Sequence, residues 1–166
     1  MANLSNLFSD ICVRYVISHG NLLEYERGQS IFQDDDLDIR VCKLDIEKWE
    51  NYCKDPKNQA NSKYNLRFDN RFHDMNKQKN NGIQCRLMHH VTDATDELKN
   101  MNIHADIVFD TVTSKQWMDY DIDWDNIVRI TYMGTLTYVP KKEDIVRLLK
   151  KNYGEKYLIP HRNIKL

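Results

Sequence analysis

Four carboxylates crowd into five positions at Asp34, Asp35, Asp36 and Asp38, with Leu37 between the last two. Repulsion at that density has to be offset, and a divalent cation does this well. The run leads into an alternating segment. Leu37, Ile39 and Val41 fall on one side, and Asp36, Asp38 and Arg40 on the other, which is the period of a β-strand. Residues two apart in a strand point the same way, with Cα atoms roughly 6.5–7 Å apart. Asp36 and Asp38 can therefore face one ion or a close pair of ions. The spacing of 34, 36 and 38 also opens an EF-hand loop, but Ile39 stands at the sixth position, where that loop needs glycine. The plain alternative is a solvated acidic turn.

A further acid, Asp106, sits in the apolar segment IHADIVF. A lone carboxylate there is costly unless it is paired or bound to a metal. An ion pair with an arginine such as Arg86 is the ordinary solution. Taken with Asp36 and Asp38, Asp106 instead completes a three-carboxylate cradle, the hardware of metal-assisted phosphoryl or nucleotidyl transfer. A Gly20-Asn21 step precedes the acids at a distance that allows a helix-to-strand return.

These residues need elements to hold them. The apolar spacing of 4–18 predicts a first helix ended by Gly20, with GNLLEYERGQ as a turn-rich segment after it. Strands are expected at 37–41, 83–88 and 103–109. A helix is expected from Asp45 to Cys53, with Asp45 as its cap and Lys48 as an early partner. Residues 54–82 read as loops with a hairpin near 64–72. Residues 127–139 read as a hairpin turning at Met133-Gly134. Pro140 suits the first turn of a last helix that stops at Gly154. Strands and helices together predict an α+β (mixed α/β) class.

The chain has 166 residues, suited to one domain over 1–166. It carries 24 Lys+Arg against 25 Asp+Glu, so bulk charge does not favour nucleic acid. The N-terminal segment carries Asp10 and Arg14 inside its apolar stretch, which fits neither a signal peptide nor a membrane span. Cytoplasmic location is expected, in a bacterial or viral setting. The 4 cysteines show no C-x2-C spacing and read as free thiols. Trp49, Trp117 and Trp124 read as core or half-buried anchors. WMDYDIDWD (117–125) reads as a solvated loop or edge, and the Lys-rich run at 141–151 as a solvated helix face.

The sequence His19-Gly20-Asn21-Leu22-Leu23-Glu24-Tyr25-Glu26-Arg27, followed after a gap by Asp34-Asp35-Asp36-Leu37-Asp38-Ile39, resembles the LicD/fukutin family. That family typically reads G-T-L-L-G-x-x-R, then W-D-D-D-h-D-h, with h apolar. His104-Ala105-Asp106-Ile107 looks like its H-x-D-h segment. Tyr138-Val139-Pro140, Leu149 to Tyr153-Gly154 and Pro160 look like its ending. The blocks occur in family order from about 19 to 160. Three positions differ: Asn21 stands where threonine is usual, Glu24 where glycine is usual, and Gln33 where tryptophan is usual.

The resemblance implies a nucleotidyltransferase-like fold, similar to the DNA polymerase beta superfamily: a mixed sheet flanked by helices. It implies a phosphotransferase that moves a phospho-alcohol, of phosphocholine or ribitol phosphate type, from a CDP-linked donor to a glycan hydroxyl, releasing CMP. It implies Asp36, Asp38 and Asp106 as catalytic ligands of Mg²⁺ or Mn²⁺. On the same scaffold, a nucleotidyltransferase using an NTP is the alternative enzyme. A catalytically inactive module that binds a nucleotide or glycan is the alternative from another class.

The remaining substrate-binding candidates follow from their chemistry. Arg27 can clamp phosphate through a bidentate fork, or form a surface pair with Glu24 or Glu26. Arg86 is a second clamp candidate. The Gly20-Asn21 backbone can cradle a phosphate. Asp34 or Asp106 can accept the proton of the attacking hydroxyl. His19 and His104 can orient the acids or the donor.

Overall fold

A computed structural model describes residues 1–28, 36–60, 64, 66–68, 85–89, 104–109 and 121–159. Helix α1 (Ala2–Asp10) leads to strand β1 (Tyr15–Ile17), helix α2 (His19–Arg27) and strand β2 (Asp36–Val41). A 3-10 turn at Lys43–Asp45 leads into α3 (Ile46–Lys54) and α4 (Pro56–Ala60). Strands β3 (Leu66–Phe68), β4 (Cys85–His89) and β5 (His104–Phe109) follow. A hairpin of β6 (Val128–Tyr132) and β7 (Thr135–Val139) precedes the last helix, α5 (Lys142–Tyr153).

Five strands form one mixed sheet in the order β1-β2-β5-β4-β3, and β6-β7 form a second, two-stranded sheet. The class is α+β. Among the described strands, only the β2–β5 pair is parallel. A parallel pair needs a long crossover, and here α3, α4, β3 and β4 all lie within it.

The core forms where alternation and helical spacing converge. Ile39 and Val41 of β2, Ile107 of β5 and Val16 and Ile17 of β1 are fully buried. Leu4, Leu7 and Phe8 of α1 cover one part of the sheet, and Leu148 and Leu149 come in from α5. Trp49 is 0% exposed, set against Phe8 at 5.5 Å and Tyr52 at 5.7 Å between ring centroids. Trp124 is half-buried against the same cluster. Trp117 lies outside the described residues.

The first predicted helix is corrected. It stops at Asp10, and residues 15–17 form a buried strand instead. Cys12 turns the chain with φ of 54°. Beyond it, Tyr15, Val16 and Ile17 are aromatic or β-branched and pair with Val41, Arg40 and Ile39; β-branched side chains fit a pleated, buried surface better than a helix. The turn-rich segment after Gly20 is corrected too. Gly20 and Asn21 lie in the first turn of α2, whose last turn closes on Gly28 at φ 63°, the left-handed cap that glycine favours.

The expected helix at 45–53 is present as α3, one residue later at each end. Asp45 precedes it but makes no capping bond. Its carboxylate instead accepts from the Arg14 backbone N–H at 3.1 Å, Arg14 Nε at 2.8 Å and Lys48 Nζ at 2.7 Å. Burial opposes its ionisation, but these donors win and hold Asp45 below the usual carboxylate range. A depressed pKa contributes stability at neutral pH that is lost as pH falls through the folded-state value. Asp45→Ala is expected to cost about 2–3 kcal/mol at pH 7 and to flatten the acid limb of a pH-dependent urea denaturation series.

The strands expected at 83–88 and 103–109 are β4 and β5. The hairpin expected near 64–72 lies mostly outside the described residues. Its one described strand, β3, pairs with β4. The hairpin at 127–139 is present, and Met133 and Gly134 have φ of 49° and 70°. Positive φ at both central positions is the geometry that favours Asn-Gly. Met133 is 60% exposed, so little packing is at stake there. Met133→Asn is expected to stabilise by about 0.5–1 kcal/mol, read as a rise in melting temperature. Pro140 precedes the cap Lys141 rather than entering α5.

Residues 121–125 are tied to cations and backbone: Asp123 to Lys141 at 2.7 Å, Asp125 to Arg14 at 3.5 Å, and the Asp121 carbonyl to Arg147. They form a loop that is solvated only at Asp121 and Asp125, with Ile122 6% exposed in the core, and 117–120 lie outside the described residues. The lysines of the 141–151 run include Lys141, Lys142 and Lys150, paired with Asp123, Glu26 and Glu155. Cys12, Cys42 and Cys53 are free thiols. Among the described residues, no helix is long and apolar enough to cross a membrane.

Candidate functional site

Strand β2 carries Asp36 and Asp38, and β5 carries Asp106. The parallel register aligns Asp38 with Asp106 and Asp36 with His104. On the other side of β5, Arg86 is the register partner of Asp106. Residues 20 to 68 apart in sequence thus form one row across three strands: Asp38, Asp106, Arg86. The row places the two acids side by side. It also places Arg86 where an ion-pair partner of Asp106 would stand. The side chains of Arg86 and His104, and all of Asp34, lie outside what is described.

The polar side of β2 continues from Asp36 and Asp38 to Arg40, which is 1% exposed. Asp106 is 4% exposed. Asp38 is pushed up to about 7, first by burial and then by the charge of Asp36, with Asp106 adding to it. The Gly20 N–H and the Arg40 cation pull the other way without cancelling the rise. Arg40 therefore offsets the acids from the buried end of the strand only in part.

The N-terminus of α2 meets the acids. β1 and β2 run antiparallel, so the chain leaving Ile17 turns at Ser18 beside Asp38, whose carbonyl accepts the Ser18 N–H at 2.9 Å. The Gly20 N–H then donates to Asp38 Oδ2 at 3.3 Å. The first turn of a helix leaves such N–H groups without helical partners, and one of them is spent on the metal-candidate carboxylate. His19 takes φ of 41° in this turn, and its Nδ1 lies 3.1 Å from Ser18 Oγ. Burial, helped by Arg40 and opposed by Asp36, lowers its pKa to about 4. It is therefore a neutral imidazole at neutral pH, a hydrogen-bonding group rather than a cation.

Asn21 enters through its side chain. Its Oδ1 accepts the Asp38 backbone N–H at 2.6 Å, and its Nδ2 donates to Tyr132 Oη at 3.3 Å. Tyr132 in turn donates to Glu24 Oε2. All three side chains belong to buried residues. Glu24 thus points into the protein, on a hydroxyl of the β6–β7 hairpin.

Arg27 is not brought to the acids. It lies seven residues along α2 from Gly20, about 10 Å at helical rise. Its guanidinium donates to the carbonyls of Tyr157, at 2.7 Å from Nε, and Ile159, at 3.4 Å from Nη2. It ties the end of α2 to the segment after α5, and the carbonyls there, not Glu24 or Glu26, are its partners. Glu26 pairs with Lys142 instead.

Two residues of the site went unremarked as functional in the sequence. Arg40 had a signal, since it continues the 36, 38, 40 alternation as a cation behind two acids. Tyr132 had none, being 111 residues from Asn21.

The donor set fits a hard divalent ion. It consists of carboxylate oxygens, and the crowding that raises Asp38 is what a cation would relieve. Among the described residues, no three His, Cys, Asp or Glu side chains are gathered into a ready ligand group. The three acids are neighbours by register and charge, not a closed cage. A groove of about 740 Å³ lies elsewhere, between α1 and the hairpin, and none of the three acids lines it. No family model matches the chain, and no curated protein matches it significantly.

Proposed function

We propose that this chain is a metal-dependent phosphotransferase of the LicD/fukutin type, built on a nucleotidyltransferase-like fold. It moves a phospho-alcohol from a CDP-linked donor to a glycan hydroxyl. The observation that supports this most is the register of Asp38 against Asp106, with the α2 N-terminus directed at Asp38. A helix entering from a strand, two acids spaced by one residue, and an acid on the neighbouring parallel strand are the parts such a reaction needs.

Asp36, Asp38 and Asp106 are the residues that would hold Mg²⁺ or Mn²⁺. When bound, the ion supplies charge neutralisation at the donor pyrophosphate and the departing CMP. The chain supplies the rest. The Gly20 N–H and the Asn21 side chain hold Asp38 in place. Arg40 compensates part of the acidic field from the buried end of the strand. His19, neutral and tied to Ser18, offers a hydrogen bond without repelling an incoming cation. Asp106, or Asp34, accepts the proton of the attacking hydroxyl. Glu24, which stands where the family has glycine, is held inward by Tyr132.

Calorimetric titration of CDP, UDP, GDP and ADP with Mn²⁺ present tests the proposal, on the wild type and on Asp38→Asn. Binding selective for CDP and lost in the variant is expected. Selectivity for another base would move the donor to a nucleotide sugar or an NTP. Pyrophosphate in place of CMP as product would make the enzyme a nucleotidyltransferase. No nucleotide binding at all would leave only a binding module.

A further inference from the structure

The hairpin β6–β7 belongs to a different sheet from the acids, yet one of its side chains reaches the helix that holds their strand. The Tyr132 hydroxyl stands between two groups of α2: it donates to Glu24 Oε2 and accepts from Asn21 Nδ2 at 3.3 Å. This double contact decides which way the Asn21 amide faces. With Nδ2 held on a phenol oxygen, Oδ1 is left toward β2, where it takes the Asp38 N–H at 2.6 Å. A flipped amide would set an N–H against the Asp38 N–H, two donors facing each other. Glu24 settles the direction of the whole chain. Tyr132 Oη is the donor in its contact with Glu24 Oε2, so its proton is spent there, and the phenol lone pairs are free to receive Asn21.

We propose that Tyr132 is a positioning residue for Asp38, acting through Asn21, with Glu24 setting the polarity of the chain. The backbone of the central acid is held by a buried relay that runs from α2 through the hairpin and back. The consequence for metal affinity rests on the function proposed above; the positioning itself does not. Groups outside the ligand set that fix a ligand's orientation are typically worth about 10- to 100-fold in metal affinity.

A second hydroxyl tie of the same hairpin serves as the internal control. Thr137 Oγ1 donates to Tyr15 Oη at 3.2 Å, Tyr15 Oη to Ser5 Oγ at 2.9 Å, and Ser5 Oγ to the Leu136 carbonyl at 2.8 Å. That circuit joins α1, β1 and β7 without touching Asp38.

The test uses the full chain, with ¹⁵N labelling, in Tyr132→Phe, Glu24→Gln and Thr137→Val. Two quantities are read: the Asp38 amide resonance without metal, and the affinity for Mn²⁺ alone. Tyr132→Phe is expected to move the Asp38 amide proton upfield, speed its exchange, and weaken Mn²⁺ about tenfold. Glu24→Gln keeps an acceptor of the same shape and weakens the charge-assisted bond, so it should shift the same amide in the same direction by less. Thr137→Val should leave that amide and the Mn²⁺ affinity unchanged, whatever it does to thermal stability. If Tyr132→Phe fails to fold, the Glu24→Gln shift decides. An Asp38 amide untouched in the folded variants, or moved equally by Thr137→Val, overturns the inference. Wild-type protein that binds no Mn²⁺ overturns the proposed function instead, and the amide shifts still judge the positioning.

Discussion

Asp38→Asn is expected to cut turnover by about a thousandfold or more, the scale of several kcal/mol of lost charge stabilisation. In the same protein stripped of divalent ions, it is expected to raise stability at pH 8. The two effects share a cause. Asp38 is buried next to Asp36 and Asp106, and its ionisation in the folded chain is resisted up to about pH 7, against 3.8 ordinarily. Each unit is worth about 1.4 kcal/mol, so holding the charge at pH 8 costs the fold up to about 4 kcal/mol. Asparagine removes that charge and keeps an oxygen for the Gly20 N–H. Urea denaturation in EDTA should show a higher midpoint with the same slope, while the release of CMP that the proposed function predicts should disappear. A site residue that weakens the empty fold is the usual trade between stability and activity. Undiminished turnover would remove Asp38 from the ligand set. A lower urea midpoint would show that its charge is not the burden described here.

The acids and their strand were legible because alternation is a local signal. Asp36, Asp38 and Arg40 against Leu37, Ile39 and Val41 is a period that a strand imposes on any sequence with one buried side. β5 was legible for the same reason, and the hairpin because Met133-Gly134 breaks two β-rich runs. The first helix was misjudged because Val16 and Ile17 continue the apolar spacing of Leu4, Leu7, Phe8 and Ile11. Only the long-range pairing of Tyr15–Ile17 with Ile39–Val41 decides in favour of a strand. The α2 helix is not legible because Gly20, a poor helix former, lies in its first turn. At the first turn glycine costs little, since that turn lacks internal hydrogen bonds in any case. What no local pattern could show is which distant side chains arrive at the acids. Asn21, Tyr132 and Glu24 meet through tertiary packing, and Arg27 is drawn away to the carbonyls of Tyr157 and Ile159 by the same packing.

Asp38 and His19 should act on stability with opposite signs over the same range of pH. The unfolded chain releases the Asp38 proton near 3.8, whereas the folded chain keeps it to about 7. Through that window the native state binds more protons, so stability falls as pH rises, and the fall ends above about 7. His19 is the reverse case. The unfolded chain binds a proton below 6.5, whereas the folded chain refuses it down to about 4. Here the unfolded state binds more protons, so stability rises with pH from about 4 to 6.5. Each slope approaches 1.4 kcal/mol per pH unit, so the two nearly cancel in the wild type. Single substitutions separate them. In Asp38→Asn the rise due to His19 stands alone, and stability relative to wild type should climb by about 3–4 kcal/mol between pH 4 and 7. In His19→Asn, chosen because asparagine tolerates the positive φ, the fall due to Asp38 stands alone. Stability relative to wild type should then drop by about 3 kcal/mol between pH 4 and 6.5. Taking differences from wild type removes the carboxylates common to all three proteins. Denaturation midpoints measured across this range in EDTA should diverge in opposite directions. Two variant curves that run parallel to the wild type would mean that neither group is held out of its ordinary protonation state, and that the acids are not crowded as the register of β2 and β5 requires.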